Sequence, residues 1–78
     1  MIDYTPFWET LKSSKESTYT LIYHYYISSS TLDKLRKNKP ISTKTLNDLC
    51  AVFGCSAEEI LRYVPNDEDQ HPWTNRNI

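Results

Sequence analysis

The chain has 78 residues, of which 38% are hydrophobic and 24% charged, and its formal net charge at pH 7 is −1. A chain this short buries roughly 60 to 65% of its unfolded surface, which allows one small domain. The composition is too apolar for a disordered chain. It contains neither an apolar run long enough to span a membrane nor a signal-peptide pattern, so we expect a cytoplasmic protein without membrane association.

A first helix is predicted from Thr5 to about Ser14. Thr5 is a favourable N-cap, and Pro6 tolerates the first helical position because an amide there would have no helical partner. Phe7 and Leu11 are four residues apart, so they share one face, which we expect to be buried.

A second and a third helix are predicted with a link of only two residues between them. The second covers residues 17–26, where Leu21 and Tyr25 recur at helical spacing. Ser28 is a natural N-cap for the third, over residues 29–37. Two short helices joined so closely must cross steeply, and this arrangement is a helix-turn-helix.

The third helix has a narrow apolar stripe. Leu32 and Leu35 are its only apolar members, so most of its surface is expected to face outward. Asn38 tolerates the left-handed conformation that ends a helix, and Pro40 prevents continuation. A fourth helix, capped by Ser42 or Thr43 and closed by Gly54, has the most regular amphipathic pattern in the chain, formed by Leu46, Leu49, Cys50 and Phe53.

A fifth helix is predicted from a capping box, in which Glu59 reaches back to the Ser56 amide, up to Pro65. Residues 66–78 lack periodicity and form a polar, acidic tail. The sequence therefore predicts an all-α fold, a compact five-helix bundle over residues 1–65 that contains a helix-turn-helix, followed by the tail.

Charge is distributed unevenly along the chain. Residues 28–47 carry five basic side chains and one acidic, whereas residues 48–78 carry two basic and six acidic. A basic stretch between acidic regions is either a solvated helix face or the site of a polyanion.

No pattern in the sequence is typical of a catalytic, metal or cofactor site. The serines have no His or Asp partner at a recognisable spacing, and there is no glycine-rich phosphate loop, so we expect no enzyme activity. Cys50 and Cys55 are too far apart for a CxxC pair, and His24 and His71 lie at no ligand spacing from them. We interpret the cysteines as free thiols, Cys50 in the core and Cys55 in the bend after Gly54.

The outward face of the third helix favours nucleic-acid binding. It presents small hydroxyls and cations around one carboxylate, from Ser29, Ser30, Asp33, Lys34 and Lys37. Small side chains let a helix approach the DNA major groove, hydroxyls hydrogen-bond base edges, and lysine reaches guanine O6 or N7. Lys39 and Lys44, with the Thr43 hydroxyl and the first amides of the fourth helix, would hold phosphates beside it.

The span from Ser17 to Leu61 resembles the lambda-repressor/Cro-type helix-turn-helix domains of bacterial and phage transcriptional regulators. It covers 45 of the 78 residues, and its most telling string is ISSSTLDKLRKNKPISTKTL, followed by the apolar pattern of the last two predicted helices. The resemblance implies a five-helix bundle in which the third helix reads a major groove.

The resemblance also implies roles for single residues. Ser29, Ser30 and Lys34 match the family's base-reading positions. Phosphate contacts are expected from residues that precede and follow these positions in the sequence, namely Thr18, Ser28, Lys37, Asn38, Lys39, Thr43 and Lys44.

Two positions depart from the family pattern. Tyr26 replaces the glycine usual in the turn, where a positive φ would cost a bulky side chain about 1 kcal/mol or more, which suggests a modified turn. Ile22 replaces a small residue in the second helix, which suggests a wider separation or a different crossing angle between the two helices.

We expect a sequence-specific, double-stranded DNA-binding transcriptional regulator, with repression favoured because occlusion needs no further surface. The chain has no room for a small-molecule sensor. A homodimer is expected to read half-sites about 34 to 36 Å apart. Its surface is predicted at helix five with residues 64–78, which include Trp73 and Ile78, or second at the cluster Tyr23–Tyr26.

Other interpretations remain open. The same fold serves as a protein-interaction module, antitoxin-like or an adaptor, which the overall acidity favours modestly. Alternatively, residues 28–31 serve only as the cap and first turn of a helix, and Lys34 and Lys37 belong only to a solvated helix face, without a role in DNA binding. The acidic tail is also a candidate to fold over the basic face and inhibit it.

Overall fold

A computed structural model describes residues 1–65 of the chain. Four α-helices and a two-stranded sheet follow in the order β1 (Ile2–Asp3), α1 (Thr5–Ser13), α2 (Thr18–Tyr23), α3 (Ser29–Arg36), α4 (Thr43–Phe53), a 3-10 turn (Ala57–Glu59) and β2 (Arg62–Tyr63). The predicted mostly helical fold with a helix-turn-helix is confirmed, but the count of five α-helices and the absence of a sheet were wrong.

Three of the helices begin at a serine, as their sequences predict. Ser17, Ser28 and Ser42 are the N-caps of α2, α3 and α4, and each side-chain oxygen accepts the amide three residues further on. The N–O distances are 3.3, 3.1 and 3.1 Å. These bonds satisfy amides that have no partner within the helix, so the start of each helix is fixed locally.

The first helix starts differently from the prediction. Tyr4 is its N-cap, without a side-chain capping bond, and Thr5 is its first residue. The Asp3 carboxylate instead accepts the Thr5 amide at 3.2 Å and the Thr5 hydroxyl at 2.8 Å. The hydroxyl bond, with the Arg62 guanidinium beside it, holds the pKa of Asp3 below its usual value although desolvation opposes this.

The second helix ends at Tyr23, two to three residues earlier than predicted, so the link to α3 is longer than two residues. His24 and Tyr25 both donate their amides to the Thr20 carbonyl, and the chain then turns at Tyr26, whose φ is 60°. The turn therefore keeps a left-handed residue even without glycine. The Tyr26 ring is 86% exposed, so no core packing compensates the backbone strain.

The predicted fifth helix is only one 3-10 turn. Its capping box forms, since Glu59 Oε2 accepts the Ser56 amide at 3.3 Å, but the next backbone groups have distant partners. The Ile60 carbonyl accepts the Phe7 amide at 3.0 Å, and β2 pairs antiparallel with β1 in the register Ile2↔Tyr63. Tertiary hydrogen bonds therefore replace the local ones that a helix would need.

One apolar core joins the four helices with Tyr4, Ile27 and Ile60 beside them. Its buried members are Tyr4, Phe7, Leu11, Leu21, Ile27, Leu32, Leu35, Leu49 and Ile60. The predicted faces of α1, α3 and α4 are confirmed, and Leu46, Cys50 and Phe53 of α4 pack half-buried against this core. No helix within residues 1–65 combines the length and the apolar character that crossing a membrane requires.

Both cysteines are free thiols, as predicted, and both are half-buried, so Cys50 packs against the core without being fully enclosed in it. Burial, followed by the neighbouring Cys50 thiol and the Glu59 carboxylate, raises the pKa of the Cys55 thiol to about 11. Since the thiolate is the reactive form, Cys55 is a poor nucleophile at neutral pH.

We expect iodoacetamide to alkylate Cys55 at pH 8 roughly tenfold to a hundredfold more slowly than an unstructured cysteine, because so little thiolate is present. The rate should continue to rise with pH up to about 11. Peptide-level mass spectrometry of the folded chain measures this, and unfolded chain in urea is the control. A rate that levels off near pH 9 would contradict the raised pKa.

Replacing Tyr26 by glycine should stabilise the domain by about 1 kcal/mol, because glycine adopts a positive φ without steric cost. Tyr26→Ala is the matched control, since it removes the same exposed ring and keeps the Cβ that causes the strain. Urea unfolding followed by circular dichroism measures both. Equal stability of the glycine and alanine variants would show that the turn is unstrained.

Candidate nucleic-acid interface

The helix-turn-helix is anchored by the buried side of α3. Leu32 and Leu35 are each 1% exposed and fix the rotation of the helix about its axis. The side chains predicted to read bases, Ser29, Ser30 and Lys34, are all exposed. The apolar stripe thus turns these polar groups to solvent, as the sequence predicted.

Hydroxyl groups cluster at the N-terminus of α3. Ser28 Oγ, which caps the helix, lies 3.1 Å from Ser30 Oγ and 2.9 Å from Thr31 Oγ1. The Ser29 hydroxyl makes no hydrogen bond to any part of residues 1–65. Ser28 is therefore first a structural cap, whereas Ser29 offers a hydroxyl with its hydrogen-bonding capacity unused.

Two of the four lysines near α3 have a carboxylate partner. Lys37 Nζ lies 3.0 Å from Asp33 Oδ2, and Lys44 Nζ lies 3.0 Å from Asp48 Oδ2, both one helical turn apart and exposed. Exposed pairs of this kind contribute about 0.3 to 0.5 kcal/mol, so a phosphate would displace the carboxylate at little cost.

The other two lysines, Lys34 and Lys39, are exposed and have no carboxylate within salt-bridge distance among residues 1–65. Lys34 lies in the last turn of α3 and Lys39 in the loop that follows. Each is a cation without an internal counter-charge. Two such cations in one short segment favour the binding of an anion from outside the domain.

The loop after α3 is held in place by Asn38. This residue adopts the predicted left-handed conformation, with φ of 55°, and its side-chain oxygen accepts the Tyr4 amide at 3.1 Å. The Tyr4 hydroxyl donates to the Lys39 carbonyl at 2.7 Å. Asn38 therefore uses its oxygen to maintain the fold, and its amide nitrogen is what remains for an external acceptor.

No pattern in the sequence indicates the role of Tyr4, because its partners lie 34 and 35 residues further along the chain. Desolvation by burial raises the pKa of Tyr4, so the hydroxyl stays protonated and remains a donor. An aromatic residue just before the first helix was the only local signal, and it does not reveal a distant acceptor.

The start of α4 supplies further donors. Thr43 is the first residue of the helix and Lys44 the second, both are exposed, and the first turn has no acidic residue. The first turn of α3 also lacks acidic residues. Uncapped amides and the helix dipole make such N-termini favourable for anions.

The predicted phosphate contacts do not all lie in one place. Asn38 and Thr43 line the same shallow groove, and Lys37, Lys39 and Lys44 flank it in sequence. Thr18 does not line this groove; it begins α2 and is half-buried. Arg36, which was not predicted to contact DNA, has its guanidinium 5.7 Å above the Trp8 ring and so packs against α1.

Comparison with known proteins agrees with this geometry. A family model described as the Cro/C1-type HTH DNA-binding domain matches residues 7–66. The solved structure titled "Crystal structure of transcriptional regulator VanUg, Form II" is similar, with a TM-score of 0.74 and 26% sequence identity over 83% of this chain and 87% of that chain. The curated proteins contain no match. The resemblance inferred from residues 17–61 is confirmed.

Proposed function

Since the chain belongs to the Cro/C1-type helix-turn-helix DNA-binding family, we propose that it is a sequence-specific transcriptional regulator that inserts α3 into the major groove of double-stranded DNA. The observation that carries this proposal is the exposed face of α3, where Ser29, Ser30 and Lys34 stand opposite the buried Leu32 and Leu35.

Base recognition falls to the residues of that face. The Ser29 hydroxyl is positioned to donate to or accept from a base edge, and Lys34 reaches the acceptors of guanine. The Ser30 hydroxyl forms a hydrogen bond with the Ser28 hydroxyl at 3.1 Å, so a base contact by Ser30 would replace that hydrogen bond.

Phosphate binding orients α3 on the duplex. Lys39 and Lys44 supply cations, and the Asn38 amide nitrogen and the Thr43 hydroxyl supply neutral donors. Thr18 at the start of α2, Ser28 at the start of α3 and Lys37 at its end complete the set. These contacts carry no sequence information, so they set affinity and its dependence on salt.

We propose a homodimer that acts as a repressor in the cytoplasm, without a ligand, a cofactor or a catalytic step. One small domain makes few phosphate contacts, and two copies read two half-sites. The surface predicted for the dimer, helix five with residues 64–78, is corrected in one respect: residues 57–65 form a 3-10 turn and a strand and no α-helix. Val64 is exposed after β2, and Trp73 and Ile78 lie outside the described residues. The cluster Tyr23–Tyr26 is exposed and remains a candidate.

Selection of duplexes from a random pool by the full chain tests the function. Enrichment of one motif, with log affinity falling against log salt at about −0.9 per phosphate contact, supports it. Absence of enrichment and a flat salt response would favour the rival assignment, a protein-interaction module with this fold.

Lys34→Ala should weaken binding to the selected operator by about 1 to 3 kcal/mol and relax the preference at one base pair. Lys12→Ala is the matched control, since Lys12 is an exposed helical lysine on α1. Fluorescence anisotropy on the operator and on single-base variants measures the effect. An equal loss on every duplex would make Lys34 a phosphate contact instead.

Lys39→Ala should weaken specific and non-specific duplexes alike and reduce the magnitude of the salt slope by about one unit, because it removes one cation at a phosphate. Lys15→Ala, an exposed lysine before α2, is the control. Titrations at several salt concentrations measure the slope. A loss restricted to the operator would contradict the phosphate role.

A further inference from the structure

A shallow apolar groove lies beside the proposed phosphate site. It has a volume of about 310 Å³ and is walled by the sheet, the loop after α3 and the first turns of α4. Its apolar surface comes from Ile2, Pro40, Ile41, Leu46 and Leu61. Its remaining lining includes Asn38 and Thr43, which are among the proposed phosphate contacts.

The end of the described chain lies next to this groove. Tyr63 pairs with Ile2, which lines the groove, and the Val64 amide donates to the Met1 carbonyl at 2.8 Å. Residue 66 therefore follows five residues after Leu61, the last residue in sequence that lines the groove. Trp73 lies eight residues after Pro65, a distance of up to about 27 Å in an extended chain, so Trp73 reaches any part of the groove.

The charges of the two parts are complementary. Residues 1–65 carry eight basic and seven acidic side chains, whereas residues 66–78 carry three acidic and one basic. The acidic residues are consecutive, from Asp67 to Asp69, and Lys39 and Lys44 follow groove-lining residues directly. Lys39 has no carboxylate partner among residues 1–65, so an incoming carboxylate displaces no internal ion pair there.

We propose that residues 66–78 occupy this groove in the free protein, with the Trp73 ring against its apolar lining and Asp67, Glu68 and Asp69 beside Lys39 and Lys44. Trp73 is the one Phe, Trp or Tyr side chain in the segment. An indole gains from leaving water, and a tethered segment binds at a high effective concentration.

The occupied groove competes with DNA. The docked carboxylates stand where phosphates would bind, and the segment covers Asn38 and Thr43. The tail thus reduces affinity for every duplex without altering base preference. This competition rests on the proposed function, whereas the docking itself does not.

The docking is tested first, without DNA, by methyl NMR of the full chain at low salt. Trp73→Ala should shift the methyl signals of Ile41, Leu46 and Leu61, and His71→Ala, the matched tail control, should leave them in place. Nuclear Overhauser effects should connect the Trp73 ring to these methyls at all protein concentrations. Shifts confined to the tail would overturn the proposal, and effects that vanish on dilution would assign the groove to a second copy.

The competition is tested by titrating the same variants with duplex DNA. If the tail leaves only 10 to 20% of the molecules competent, Trp73→Ala should tighten binding roughly fivefold to tenfold on all sequences, and His71→Ala should not. Unchanged affinity despite docked Trp73 would overturn the competition. If no variant binds any duplex, the proposed function fails, and the NMR result still decides the docking.

Discussion

The position of the loop after α3, which carries proposed phosphate contacts, depends on Tyr4. This residue is 1% exposed and makes two hydrogen bonds to the loop: its backbone amide donates to the Asn38 side-chain oxygen, and its hydroxyl donates to the Lys39 carbonyl. Both bonds lie in a partly buried environment, where an unpaired donor costs about 1 to 3 kcal/mol. These two hydrogen bonds therefore fix the backbone of the loop, and the Lys39 side chain extends from it into solvent.

The same residue also lies where the two ends of the domain meet. Tyr4 immediately follows β1, which pairs with β2, and it is the N-cap of α1. The Phe7 amide then binds the Ile60 carbonyl at 3.0 Å. Consequently the sheet, α1 and the loop after α3 are linked through one short stretch of chain, and the groove beside the proposed phosphate site lies between the sheet, this loop and the first turns of α4.

Among the residues in and beside α3, some stabilise the fold and others remain available for binding. Ser28 caps α3 and Asn38 ends it, and both use their side-chain oxygens for the fold. Lys34 and Lys39 contribute to no ion pair within residues 1–65, and the pairs of Lys37 and Lys44 are exposed and weak. The domain thus keeps its cations available, because leucines rather than salt bridges anchor α3.

Elements with local causes were predictable from the sequence. The caps at Ser17, Ser28 and Ser42 and the buried faces of α3 and α4 depend on residues three or four apart, and each was found as expected. The left-handed Asn38 also follows from its side chain. The same short-range patterns placed the candidate base-reading residues on the exposed side of α3.

The tertiary structure alone decided the features whose partners are distant in sequence. A good capping box formed by Ser56 and Glu59 precedes residues 60–64, yet no helix follows it: residues 62–63 form β2, because β1 and the start of α1 take the backbone hydrogen bonds of this segment. Tyr4 gained its role from acceptors in the loop after α3, and Tyr26 adopts a positive φ because the chain must reverse there for Leu21, Ile27 and Leu32 to share one core. Hydrophobic periodicity and capping record only neighbours within one helical turn, so they contain no information about these pairings.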